Sequence, residues 1–158
     1  MATVNTFIAG QQLRKLEFGF QVVKTAVAFP QTATSTLFTV AGGAVLITSF
    51  LGRVTTVLTT DPVLTLGTAP TAGTLDVDGI ATTTALTSAE VGTWIGIQAS
   101  SGTGGALVTS NIAGSATFVT TPFVVNAGTI TQSTGASHGG KVDWYITYIP
   151  LDTGASVS

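Results

Sequence analysis

Two active-site patterns overlap in one stretch of this chain. Gly135-Ala136-Ser137-His138-Gly139 fits G-x-S-x-G, the turn on which a serine nucleophile attacks an acyl carbon. Gly135 to Lys141 also fits G-x-x-x-x-G-K, in which backbone amides cradle a phosphate. Neither pattern has the company it needs. A nucleophile elbow opens a helix and requires a separate histidine as base, but His138 is the only histidine, it adjoins Ser137, and a β-rich run follows. A phosphate loop needs Ser or Thr after the lysine to hold magnesium and a helix N-terminus to face the phosphates; Val142 stands there instead. Both matches read as a glycine-rich hairpin loop.

The carboxylates are no more suggestive. Asp76 and Asp78 lack the oxygen-ligand spacing of a calcium loop, and Asp76-Val77-Asp78-Gly79 reads as a strand end turning through Asp-Gly. Glycoside cleavage would need two of Asp61, Asp76, Asp78, Glu90, Asp143 and Asp152 to face each other, and the sequence gives no way to pair them. Arg53 sits between two apolar runs, either as an ion-pair partner or, the reading favoured here, as an edge-strand charge that blocks unwanted pairing. No catalytic residue, metal ligand or cofactor is expected.

The elements that would position these residues are short and β-rich. Val, Ile, Thr and Phe recur in runs broken by Gly, Pro, Asn and Ser, and no long window carries a 3.6-residue apolar period. Strands are expected over Lys15–Phe20, Val22–Phe29, Leu37–Val40, Ala44–Leu51, Arg53–Thr60, Val63–Leu66, Thr74–Val77, Trp94–Ala99, Ala106–Thr109, Thr117–Asn126, Thr129–Ser133 and Lys141–Ile149. Leu37–Val40 and Ala44–Leu51 flank a Gly42-Gly43 turn. Thr87-Ser88-Ala89-Glu90 fits a capping box limited to a turn or two, and Ser100–Gly105 reads as a loop tip. The fold expected is all-β, a sandwich or jelly-roll-like barrel of about 8–12 short strands, with residues 1–14 as an extended arm and residues 15–158 as a single domain.

The run GGKVDWYITYIP at Gly139–Pro150 holds both tyrosines and one of the two tryptophans. Strand alternation puts Val142, Trp144, Ile146 and Tyr148 on one side and Asp143, Tyr145, Thr147 and Ile149 on the other. Both sides are largely apolar, which predicts a central strand, or one covered on its second face by another subunit.

Charged residues make up only 8% of the chain, against about 25% in ordinary soluble domains, and the net charge is −2. Five basic residues form no stripe that would neutralise phosphates, so nucleic acid is not expected as a ligand. Glycines and Pro30 interrupt every apolar stretch, so no membrane helix is expected. The N-terminal MATVNTFIAGQQLRK carries its basic pair after the apolar residues and lacks a signal-like core, and export is not expected. The absence of cysteine excludes disulfides and thiolate metal sites. A surface so thinly charged, rich in Thr, Ser, Ala and Gly, favours burial against a partner over free solution as a monomer.

LFTVAGGAVLITSFLGRVTTVL at Leu37–Leu58 and GGKVDWYITYIPLDTGASV at Gly139–Val157, with TLGTAPTAGTLD and TSAEVGTWIG between them, resemble small virion proteins of tailed bacteriophages. That resemblance implies a decoration or cement subunit: a trimeric, non-catalytic β domain that binds the major capsid protein on the outside of the shell, located in the virion and assembled in the host cytoplasm. The arm and its junction, Phe7, Ile8, Leu13, Arg14 and Lys15, are the interface residues expected. The alternative is a tail component or a receptor- or glycan-binding module, whose exposed Trp94 or Tyr145 would stack on sugar rings.

Overall fold

The computed structural model describes residues 13, 15, 17–59, 63–86, 89–98, 105–110 and 121–158. It is an all-β sandwich of eleven strands: β1 (Phe20–Ala28), β2 (Thr34–Ala41), β3 (Val45–Thr56), β4 (Val63–Pro70), β5 (Asp76–Ala85), β6 (Trp94–Gln98), β7 (Gly105–Ser110), β8 (Phe123–Val125), β9 (Gly128–Thr134), β10 (Lys141–Pro150) and β11 (Ser156–Val157). One antiparallel sheet runs β1-β10-β3-β6-β7, with β8 also on β3; the other runs β5-β4-β9-β2-β11. A short parallel contact between β5 and β7 joins them. No pairing links β1 to β11 among the described residues, and the barrel does not close.

The core follows from strand alternation. Val142, Trp144, Ile146 and Tyr148 of β10 all turn inward and are buried. On β3 the inward residues are Val45 and Ile47, then Phe50, Gly52 and Val54. The parity changes because Thr147 pairs with Ser49 and Tyr148 with Ile47, leaving Thr48 as an extra residue that bulges the strand. Rings tie the two sheets together. Phe38 of β2 meets Phe50 of β3 edge-on, with centroids 5.9 Å apart, and Phe50 meets Trp144 at 5.5 Å. Such contacts are worth about 0.5–1.5 kcal/mol beyond the area they bury.

Several sequence expectations need correction. Lys15–Phe20 is not a strand: Leu13, Lys15, Glu17 and Phe18 are helical, and β1 starts only at Phe20. QQLRKLE is a run of good helix formers. The apolar residues at positions 16, 18 and 20 suggested alternation, but Gly19, at φ +91°, ends the helix with its N–H donating to Lys15 O. Ala44–Leu51 and Arg53–Thr60 are not two strands: β3 runs unbroken from Val45 to Thr56 through Gly52, which makes no turn. The expected Gly42-Gly43 turn does separate β2 from β3, and because those strands lie in opposite sheets it arches between them. Asp152 clamps that arch by accepting the Ala44 N–H at 2.7 Å.

Asp76–Gly79 is likewise no hairpin turn. Leu66 pairs with Ala81 and Thr68 with Asp76, so two steps on β4 face five on β5, and the Asp-Gly segment is absorbed as an irregularity inside β5. The turn lies earlier, at residues 71–73. The terminal β11 was not anticipated; two residues long, it pairs with β2. Gly105, expected in the loop tip, opens β7, while Thr87 and Ser88 of the capping box, residues 100–104 of the loop tip and residues 117–120 of the Thr117–Asn126 strand lie outside the described residues.

Candidate functional site

The first sheet's outer face is built by register. Side chains directly opposite one another in an antiparallel sheet share a face, and four rows cross β10 and β3 on the side away from the core. Asp143 pairs with Arg53, which pairs with Trp94 of β6. The next row is Val23, Tyr145 and Leu51. Then come Gln21, Thr147 and Ser49, and last Ile149, Leu46 and Val124. Outward residues of β10 recur every roughly 7 Å. One inward face and one half-open face therefore account for the doubly apolar pattern of GGKVDWYITYIP.

At one end of this face the charges are locked. Arg53 Nη2 donates to Asp143 Oδ2 at 2.9 Å, and the Ala26 N–H donates to Asp143 Oδ1 at 2.7 Å. Ala26 reaches the carboxylate because β1 bulges between Lys24 and Val27 and places Ala26 at φ +52°. The Ala26 N–H, followed by the Arg53 guanidinium, holds the Asp143 carboxyl below the usual carboxylate range against the opposing effect of burial. The same hydrogen bond raises Arg53, with Tyr145 adding to the effect. Arg53 is thus an ion-pair partner on an interior strand, and the edge-strand reading is corrected.

Beside this pair the rings of Trp94 and Tyr145 lie 5.8 Å apart, tilted by 42°, and both are half-buried. Farther along, the N-terminal helical segment returns over the face. Thr48 Oγ1 donates to Phe18 O or Thr147 O, each 3.2 Å away. Glu17, Phe18, Thr48, Ser49 and Thr147 line an open surface pocket of about 240 Å³. Asp143, with one carboxylate oxygen engaged by each donor, is a poor proton carrier, and what the face offers is ring surface, hydroxyls and a second carboxylate.

Of the expected interface residues, Leu13 and Lys15 are exposed on the helical segment, with Lys15 Nζ 5.6 Å from the Phe20 ring centroid. Phe7, Ile8 and Arg14 lie outside the described residues. Ser137 and His138 sit in the β9–β10 loop, which Gln31 clamps from both sides: its Nε2 donates to His138 O at 2.8 Å and its Oε1 accepts the His138 N–H at 3.1 Å. A strand follows the loop, so the geometry of a nucleophile elbow is not present. Among the described residues no three His, Cys, Asp or Glu side chains gather as metal ligands, and no helix is long and apolar enough to cross a membrane. The clustering of Arg53, Trp94 and Tyr145 was missed because strand pairing is not written locally; only the outward position of Tyr145 beside Asp143 and Thr147 was readable. Comparison with protein-family models, with curated proteins and with solved structures gives no match.

Proposed function

We propose that this protein is a structural virion subunit, a decoration or cement protein that binds the outside of a tailed-phage capsid as a homotrimer and stabilises the shell without catalysis. One observation carries the reading: large apolar side chains stand open at one end of the first sheet's outer face. Phe18 is 60% exposed, Val124 57% and Ile149 36%; Ile149 and Val124 flank Leu46 in one row, and the Ile149 side chain lies close to Gly19, the residue after Phe18. Apolar surface gathered in this way marks an interaction site more often than isolated exposed residues do. Phe18 belongs to the helical segment that also bears Leu13, one of the interface residues expected. Binding that favours the assembled shell over its precursor stabilises the shell by mass action.

Imaging of intact particles tests this directly. The subunit is expected on the capsid exterior, at threefold positions, and density on the tail or none at all overturns the proposal. Deleting residues 1–13 is expected to weaken capsid attachment and leave the β-sheet circular dichroism unchanged.

The second reading, a receptor- or glycan-binding module, is favoured by a different observation: Trp94 and Tyr145 form a partly open ring pair beside Arg53 on the same face.

A further inference from the structure

We infer that the first sheet's outer face holds a two-subsite groove for a neutral oligosaccharide, with one sugar stacked on Trp94 and Tyr145 and the next seated among Glu17, Phe18, Thr48, Ser49 and Thr147. The inference rests on the second reading above and is independent of capsid attachment.

Three observations favour sugar over other occupants. A pyranose has one face of C–H groups and a rim of hydroxyls, so it needs an aromatic surface with hydrogen-bonding groups beside it. The negative face of an aromatic quadrupole attracts the C–H hydrogens, and Trp94 and Tyr145 supply two such rings 5.8 Å apart. Thr147, the outward neighbour of Tyr145 on β10, leads directly into the pocket. The pocket, about 240 Å³, is smaller than the roughly 300–1,000 Å³ typical of drug-sized ligands and suits a single ring. Its lining residues are three that carry hydroxyls, Thr48, Ser49 and Thr147, with Glu17 and the exposed Phe18. Vicinal sugar hydroxyls would donate to Glu17 and to Thr48 Oγ1, whose own hydrogen is engaged by a backbone carbonyl, and Ser49 and Thr147 can donate or accept.

The charges select against acidic sugars. Arg53, the cation beside the rings, is already paired with Asp143, and Glu17 puts a negative charge in the second subsite. The roughly 7 Å between Tyr145 and Thr147 along β10 permits contiguous sugar units, so a trisaccharide should bind better than a monosaccharide.

The full-length protein is tested with maltotriose and triacetylchitotriose as neutral probes and 3′-sialyllactose as an acidic one. Only two tryptophans are present, and Trp144 is buried in the core, so a change in intrinsic fluorescence reports Trp94. We expect saturable binding of at least one neutral probe, with a shift of Trp94 emission and amide shift changes confined to β3, β10 and residues 17–18. Tyr145→Ala and Thr147→Val should each weaken it roughly tenfold, and sialyllactose should bind more weakly than the neutral probes. Amide mapping on the wild type decides the matter even if a variant fails to fold. Neutral sugar bound elsewhere overturns this site while leaving a glycan-binding module. No sugar bound, with the Trp94 face protected in the homotrimer or on the capsid, overturns both in favour of a protein interface.

Discussion

Gly52 shows how one residue sets the packing of the core. A Cβ there would stand 2.8 Å from Trp144 Cζ3 and 3.0 Å from Val142 Cγ1, so the indole lies against bare backbone. Gly52→Ala must push the largest fully buried side chain out of place, and overpacking of this kind costs about 1–3 kcal/mol. Urea unfolding should show that loss, and unchanged stability would mean that Trp144 has room to move. Asp143 makes a second residue-scale prediction. Its carboxyl titrates below its unfolded value, so its stabilisation is complete above the ordinary carboxylate pKa of about 3.9 and disappears as pH falls through the lowered folded value. Asp143→Asn should therefore cost about 2 kcal/mol at pH 7, the worth of hydrogen bonds to a charged group. The difference from wild type should shrink as pH drops towards 3. A constant difference across that range would mean that the carboxylate's charge contributes nothing.

At the scale of elements, the first sheet is held unevenly. β10 and β3 have strands on both sides, while among the described residues β1 is an edge paired only with β10. β1 is largely exposed along its length; besides its ladder to β10 it is held by Val22 and Val27 against the core, by Phe20 against Tyr148 and by the Ala26–Asp143 bond. Elements with few buried contacts open at lower free energy than the global transition. Hydrogen exchange should accordingly find β1 amides less protected than those of Phe50, Trp144 and Ile146; equal protection throughout would make β1 part of the cooperative core. That β1 is an edge was not legible in the sequence, although the two apolar sides of Lys141–Ile149 pointed to a central β10. The alternation of Val142 to Tyr148 was legible, because a two-residue period depends only on neighbours along the chain. The bulge at Thr48, the continuation of β3 through Gly52 and the crossing of Gly42-Gly43 between sheets all depend on which distant strand lies alongside. Arg53 was misjudged for the same reason: whether a charge faces open solvent or a carboxylate across the sheet is settled by the Asp143 register. The helical residues Leu13, Lys15, Glu17 and Phe18 were missed because a three-residue apolar alternation was weighed above the helix propensity of the residues around it.

For the whole molecule, the question is what holds copies together. Twelve charged side chains and a net charge of −2 give little long-range attraction or repulsion, while Phe18, Val124 and Ile149 offer apolar area at one end of the sandwich. Charge-driven association weakens as salt shortens the screening length, to about 10 Å at 0.1 M and 3 Å at 1 M. Association through apolar burial does not weaken, and it strengthens in excluded salts such as sulfate. The proposed trimer should therefore keep its sedimentation coefficient between 50 mM and 500 mM sodium chloride. Replacing Phe18 and Ile149 together by serine should shift it to monomer without changing the β-sheet circular dichroism, since both side chains lie outside the core. A trimer that dissociates with salt but tolerates the double replacement would place the contact elsewhere on the surface. A wild-type monomer at micromolar concentration would leave the apolar end to a different protein, and the capsid would then have to supply the symmetry that the subunit lacks.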